Sequence, residues 1–199
     1  MASKVQSTPT GEAAWINVID LQTNKFDPTK KEWTLGLKLE DKLSEQVFEK
    51  IEDLLTARRE SDSKFPKNNS SLTLPFGPAM EKDDDGNKTP IEGFVMFKFK
   101  RSGYRTIRGE QVANTAPRVL DSMGRDIPKD AGIDIGWGSQ VKVFYEPYIY
   151  DRGRTGVGLE LKGVQIIVLK ERAPEIQAEA VEGGWTFNDG LVDPFDVAS

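Results

Sequence analysis

Residues 94–100 read Phe94-Val95-Met96-Phe97-Lys98-Phe99-Lys100, and the pattern has a period of two. In an extended chain, Val95, Phe97 and Phe99 point to one side and Met96, Lys98 and Lys100 to the other. A strand of this kind buries one face and shows cations on the other. Phe97 and Phe99 are expected in the core because they alternate with the lysines.

The same period appears on either side of this stretch. Upstream, Trp33, Leu35, Leu37 and Leu39 share a face opposite Thr34, Gly36 and Lys38, and Trp15 to Asp20 reads as a shorter strand. Downstream, Arg118 to Asp121 precedes a turn at Ser122-Met123-Gly124-Arg125. Gln140 to Tyr150 alternates Val141, Val143 and Tyr145 with Lys142, Phe144 and Glu146. Val157 to Leu169 is a long strand in which Gly163 predicts a bulge. The period changes only between Asp41 and about Arg59. There Leu43, Val47, Ile51, Leu54 and Leu55 form one face of an amphipathic helix, with Asp41 expected as its N-cap. Residues 60–93 hold Pro66, Pro75, Pro78, Gly86, Pro90 and the run Asp83-Asp84-Asp85. They predict a long loop or insertion, with a brief pairing near Leu72 to Leu74. Residues 1–12, rich in Ser, Thr, Gly and Pro, predict a flexible N-terminus. The expected body is then residues 13–172, a mainly β domain of about five strands and one helix. From these residues it is a small antiparallel barrel or a sandwich.

Composition removes several chemistries. The 199 residues include no His and no Cys. There is no imidazole base or ligand, no thiolate nucleophile, and no disulfide or Cys-based metal site. No apolar run approaches 18 residues, and the first residues do not resemble a signal peptide, so no membrane is expected as a partner. The net charge of −5 averages unlike parts. Residues 94–172 hold 14 Lys plus Arg against 9 Asp plus Glu, whereas residues 173–199 hold six acids and no base. A basic body with an acidic tail points to nucleic acid and an interaction arm.

Two clusters fit that partner. Lys98, Lys100, Arg101, Arg105 and Arg108 lie within eleven residues that contain no acid, interleaved with aromatic rings that include Tyr104. Cations neutralise successive phosphates and flat rings stack on bases of any sequence, which is the pairing a single strand requires. Tyr145, Tyr148 and Tyr150, followed by Arg152 and Arg154 in a Gly-rich turn, read as a strand-end platform with a basic tip, and Lys142 on the same strand is a further DNA-binding candidate. Pro147 confines that stretch to an edge or a bulge. Two other motifs are set aside. Gly153 to Gly158 lacks the glycine order of a dinucleotide loop, and Asp83, Asp85 and Asn87 begin a calcium-loop pattern that Lys88 and Phe94 break. No catalytic residue, metal site or cofactor is expected, and no carboxylate spacing supports a metal-dependent nuclease. In the tail, acids alternate with apolar and aromatic residues. Trp185, Phe187, Asp189, Asp193, Phe195 and Asp196 are the expected partner-binding positions of a disordered arm.

Several of these segments together resemble the single-stranded DNA-binding proteins of podovirus-type phages, over roughly residues 94–170. They are the Phe97 to Lys100 strand, the Val119-Leu120-Asp121-Ser122-Met123-Gly124 turn, and the Gly138-Ser139-Gln140-Val141-Lys142-Val143 strand start. Glu146-Pro147-Tyr148 and the Val157 to Gln165 strand complete the set. The resemblance implies a five-stranded antiparallel OB-fold-like barrel with an acidic C-terminal tail. It implies a protein that coats single-stranded DNA without sequence preference in phage DNA replication, recombination and strand annealing. It would act in the cytoplasm of the infected host, with the phage DNA polymerase and primase-helicase docked through the tail and a possible homodimer. Lys98 and Lys100 match basic strand positions of the family, Tyr148 a ring beside the DNA groove, and Phe195 the tail aromatic. The helix departs from the pattern by preceding the Phe94 strand, and the chain does not end on the aromatic. A protein-binding adaptor acting through the tail is the alternative reading.

Overall fold

The structure is a computed structural model; it describes residues 5–24, 27–83, 85–151 and 153–172. In chain order its strands are β1 (Gln6–Ser7), β2 (Gly11–Thr23) and β3 (Lys31–Glu40). After helix α1 (Asp41–Ser61) come β4 (Phe76–Lys82), β5 (Lys88–Ser102), β6 (Tyr104–Ile107), β7 (Glu110–Ala113), β8 (Arg118–Leu120), β9 (Gln140–Tyr150) and β10 (Gly156–Val168).

Five of these strands close a ring. β9 pairs with β2, β2 with β3, β3 with β5, β5 with β10, and β10 returns to β9. The barrel is OB-fold-like, as expected, but it is not wholly antiparallel: β5 and β10 run parallel, with Glu160 opposite Lys100. The reason is arithmetical. An odd number of strands cannot alternate direction around a closed ring, so one pair must be parallel. The other strands attach outside the ring: β1 on β9, β4 on β5, β8 on β10, and β6 with β7 as a separate hairpin.

The alternation read from the sequence is the alternation of the core. Trp33, Leu35, Leu37 and Leu39 are buried, as are Phe97, Phe99, Val141, Val143, Tyr145, Leu159 and Leu161. The Phe99 ring meets Tyr145 edge-on at 5.4 Å. The expected bulge on β10 is present: the β9–β10 register shifts between Leu161 and Gly163. α1 lies against β3, β5 and β9. It buries Ser44, Val47, Ile51 and Leu55, and Phe48 packs against Phe76 and Phe97. Leu43 is exposed, contrary to expectation. Ser44 occupies the buried position instead, where its hydroxyl donates to the Glu40 carbonyl. Asp41 is the first helical residue rather than the cap; Glu40 caps with its backbone alone.

Two segment boundaries move. Residues 6–12 belong to the barrel, with Thr8 buried and exchanging hydrogen bonds with Val143 through both its backbone and its hydroxyl. Residues 60–93 are not all loop, because β4 and the first part of β5 form a hairpin there. The prolines had argued for a loop. Pro78 lies on β4, which pairs on one side only, and proline is tolerated on such an edge. The brief pairing near Leu72 to Leu74 is a parallel bridge from Thr73 to Gly156.

Candidate nucleic-acid interface

The outer faces of β2, β3 and β5 form the floor of a groove, and its position follows from parity. On β5, burying Phe97 and Phe99 turns Lys98 and Lys100 outward. On β2, Ala13 faces the core, and strict alternation would bring Trp15 in with it. The β2–β3 register shifts between Ala13 and Trp15, so one residue is bulged out and the parity flips. Ile16 and Val18 are then buried, and Trp15 and Asn17 reach the groove.

Three adjoining depressions of about 540, 650 and 420 Å³ make up the groove. The first lies beyond Trp15 and is lined by Met80, Lys82, Lys88, Met96 and Lys98. The second runs from Trp15 and Lys98 across Thr34 to Lys100, Glu32 and Asn24. The third runs from Lys100 and Glu32 to Lys30, Lys31, Tyr104, Arg105 and Tyr148. Lys31, Lys98, Lys100 and Arg105 form no ion pair with another described residue. Lys30 does: its ammonium lies 2.8 Å from the Asp27 carboxylate. With the Thr29 hydroxyl, it holds that carboxyl down to about 2.

The aromatic rings rest on glycines. A Cβ placed on Gly36 would stand 2.3 Å from the Trp15 ring, one on Gly158 2.4 Å from Tyr148, and one on Gly156 2.5 Å from Tyr150. Each ring therefore lies across the neighbouring strand where that strand has no side chain. The Tyr148 and Tyr150 rings are 6.2 Å apart. Burial pushes the Tyr148 hydroxyl above its ordinary pKa, and the nearby carboxylate of Glu160 adds to this, so the ring stays neutral and suited to stacking.

Of the residues singled out from the sequence, Lys98, Lys100, Tyr104, Arg105 and Tyr148 line this one groove, and Tyr150 stands beside Tyr148. Arg108 is exposed at the turn of the β6–β7 hairpin, in a left-handed conformation. Arg154 is exposed in the turn after β9. Lys142 is six residues from Tyr148 on β9, about 20 Å away. Arg101 is engaged elsewhere. Its guanidinium reaches Glu160 at 2.7 Å and the Thr115 carbonyl at 2.7 Å, and its side chain is only 16% exposed. It ties β5 to β10 where the barrel closes, so its position is structural. Arg152 and the tail positions Trp185, Phe187, Asp189, Asp193, Phe195 and Asp196 lie outside the described residues.

Trp15, Lys30 and Lys31 also line the groove and are not singled out by the sequence reading. Trp15 was read as part of a strand, but the bulge that turns it outward has no residue signature there. Among the described residues there is no cluster of three or more acidic side chains placed to hold a metal, and no helix is long and apolar enough to cross a membrane.

The fold is similar to that of gp2.5, a single-stranded DNA-binding protein encoded by bacteriophage T7. The two are 22% identical with a TM-score of 0.63, over 90% of this chain and all of that one. It is also similar to the single-stranded DNA-binding protein of bacteriophage Enc34, at 11% identity and a TM-score of 0.58, over 87% of this chain and 86% of that one. The Enc34 protein in complex with single-stranded DNA matches at 12% identity and a TM-score of 0.57, over 83% and 86%. No protein-family model and no curated protein sequence matches the chain.

Proposed function

We propose that this protein binds single-stranded DNA without sequence specificity, as a non-enzymatic component of phage DNA replication, recombination and strand annealing. The observation that carries the reading is the groove. Cations without a described acidic partner alternate there with rings held flat on the sheet. The cations capture phosphates and release counterions, while the rings stack on bases. Duplex DNA keeps its bases stacked on one another, so it gains only the phosphate part. The solved proteins of similar fold bind the same ligand. In this reading Lys98, Lys100 and Arg105 hold the backbone, and Trp15 and Tyr148 carry bases, with Tyr104 and Tyr150 at the edge. The acidic tail recruits the phage polymerase and primase-helicase and competes with DNA for the basic face, and two copies associate into a dimer. The host cytoplasm is where such a protein would meet its substrate.

The test is fluorescence anisotropy of a labelled oligo-dT strand over a salt series, with duplex DNA as competitor. Lys98→Ala with Lys100→Ala is expected to weaken binding and to reduce the log–log salt slope by about 1.4, since each phosphate contact on a single strand contributes about 0.7. Absence of binding at low salt, or equal competition by duplex, would overturn the reading and favour an adaptor acting through the tail.

A further inference from the structure

We infer that the end of the β4–β5 hairpin is an additional phosphate-binding subsite, which extends the DNA path beyond Trp15. The inference rests on the single-strand reading given above. The β4–β5 register sets Lys82 directly opposite Lys88. Like charges facing each other across a strand pair destabilise it. Neither lysine has an ion-pair partner among the described residues, and both are exposed. Both line the depression that also holds Met80, Met96, Trp15 and Lys98, so both residues border the same groove as the rest of the interface. Glu81, between Met80 and Lys82 on β4, points to the opposite face by alternation. The turn itself carries Asp83 and the exposed Asp85 among the described residues, and neither forms an ion pair with Lys82 or Lys88; the Asp83 carboxylate instead accepts hydrogen bonds from the backbone N–H and the side-chain amide of Asn87, at 2.7 and 3.2 Å. An anion between the two lysines would relieve their repulsion. The anion that the groove would deliver there is the phosphate of a nucleotide that has passed over the Trp15 ring. Trp15 lies over Gly36, which pairs with Lys98, and the adjacent Phe97 pairs with Phe76; from Phe76 to Lys82 is six positions along β4, about 20 Å. Met80 and Met96 supply a pliable apolar surface between these points for the sugar and base.

The experiment uses the full chain and dT oligomers increasing from about 4 to about 20 nucleotides, the range of single-strand site sizes. The salt slope of wild type is expected to rise with oligomer length and then level off. Lys82→Gln with Lys88→Gln is expected to bind short oligomers as wild type does. Its slope should level off at a shorter length and at a value about 1.4 lower, the loss of two phosphate contacts. A thermal melt at least as high as that of wild type, from removal of the Lys–Lys repulsion, accompanies that result. Superimposable length and slope curves for a folded double variant overturn the subsite while leaving the main groove intact, provided Lys98→Ala weakens short and long oligomers alike. If wild type itself fails to bind any oligomer at low salt, the single-strand reading falls, and this inference with it.

Discussion

Single residues decide whether the groove can stack a base. Trp15 reaches it only because the β2 bulge reverses the parity set by Ala13, and its ring lies flat only because residue 36 has no side chain. Trp15→Ala is expected to weaken oligo-dT binding about 5- to 150-fold, the value of roughly 1–3 kcal/mol for one stacked base, with the salt slope unchanged. Gly36→Ala is expected to act in the same direction while leaving Trp15 in place. A methyl group 2.3 Å from the ring must push it off the sheet. Unaltered affinity in a folded Gly36→Ala variant would show that the ring's pose does not matter. The contrast with Phe97 and Phe99 is one of parity alone: the same chemistry, turned inward, is core.

At the level of elements, the parallel contact between β5 and β10 rests on a single residue pair in register, Glu160 opposite Lys100, and Arg101 spans it. The guanidinium joins Glu160, which also meets Lys162 at 2.7 Å, and Lys162 in turn meets Glu146 at 2.7 Å. This chain of charges crosses from β5 over β10 to β9. Removing Arg101 breaks two charge-assisted hydrogen bonds, one to a carboxylate and one to the Thr115 carbonyl. Arg101→Ala is expected to cost about 1–3 kcal/mol, which lowers Tm by about 2–12 °C in a protein of this size. At temperatures where the variant is folded, its salt slope for oligo-dT is expected to equal that of wild type. A lowered slope with unchanged Tm would return Arg101 to the phosphate-binding set, where its sequence neighbourhood had put it.

For the molecule as a whole, the decisive quantity is the separation of charge along the chain. Deleting residues 173–199 removes six acids and no base, taking the formal net charge from −5 to +1. A chain ending at Arg172 is therefore expected to bind oligo-dT more tightly than the full chain at low salt. The difference should shrink as salt rises, because the interaction between exposed charges is screened over about 10 Å at 0.1 M. Anisotropy at two salt concentrations checks this. An advantage that persists at high salt would mean that the tail obstructs the groove by contact rather than by charge.

The strands were legible in the chain because burial of one strand face forces a period of two, which Trp33 to Leu39, Phe94 to Lys100 and Gln140 to Glu146 each carry over seven residues. The helix was legible because its period alone differs. Part of the interface followed at once: if Phe97 and Phe99 are inside, Lys98 and Lys100 are outside. The remainder depended on contacts between residues far apart in sequence. Arg101 looks like its basic neighbours until Glu160, 59 positions away, is found beside it. Trp15 looks like a core residue until the register with β3 slips by one. Lys82 and Lys88 look like loop charges until the hairpin sets them face to face. Periodicity is a local property and can be read along the chain. Ring closure, register and charge pairing arise between distant strands, so only the folded molecule decides them.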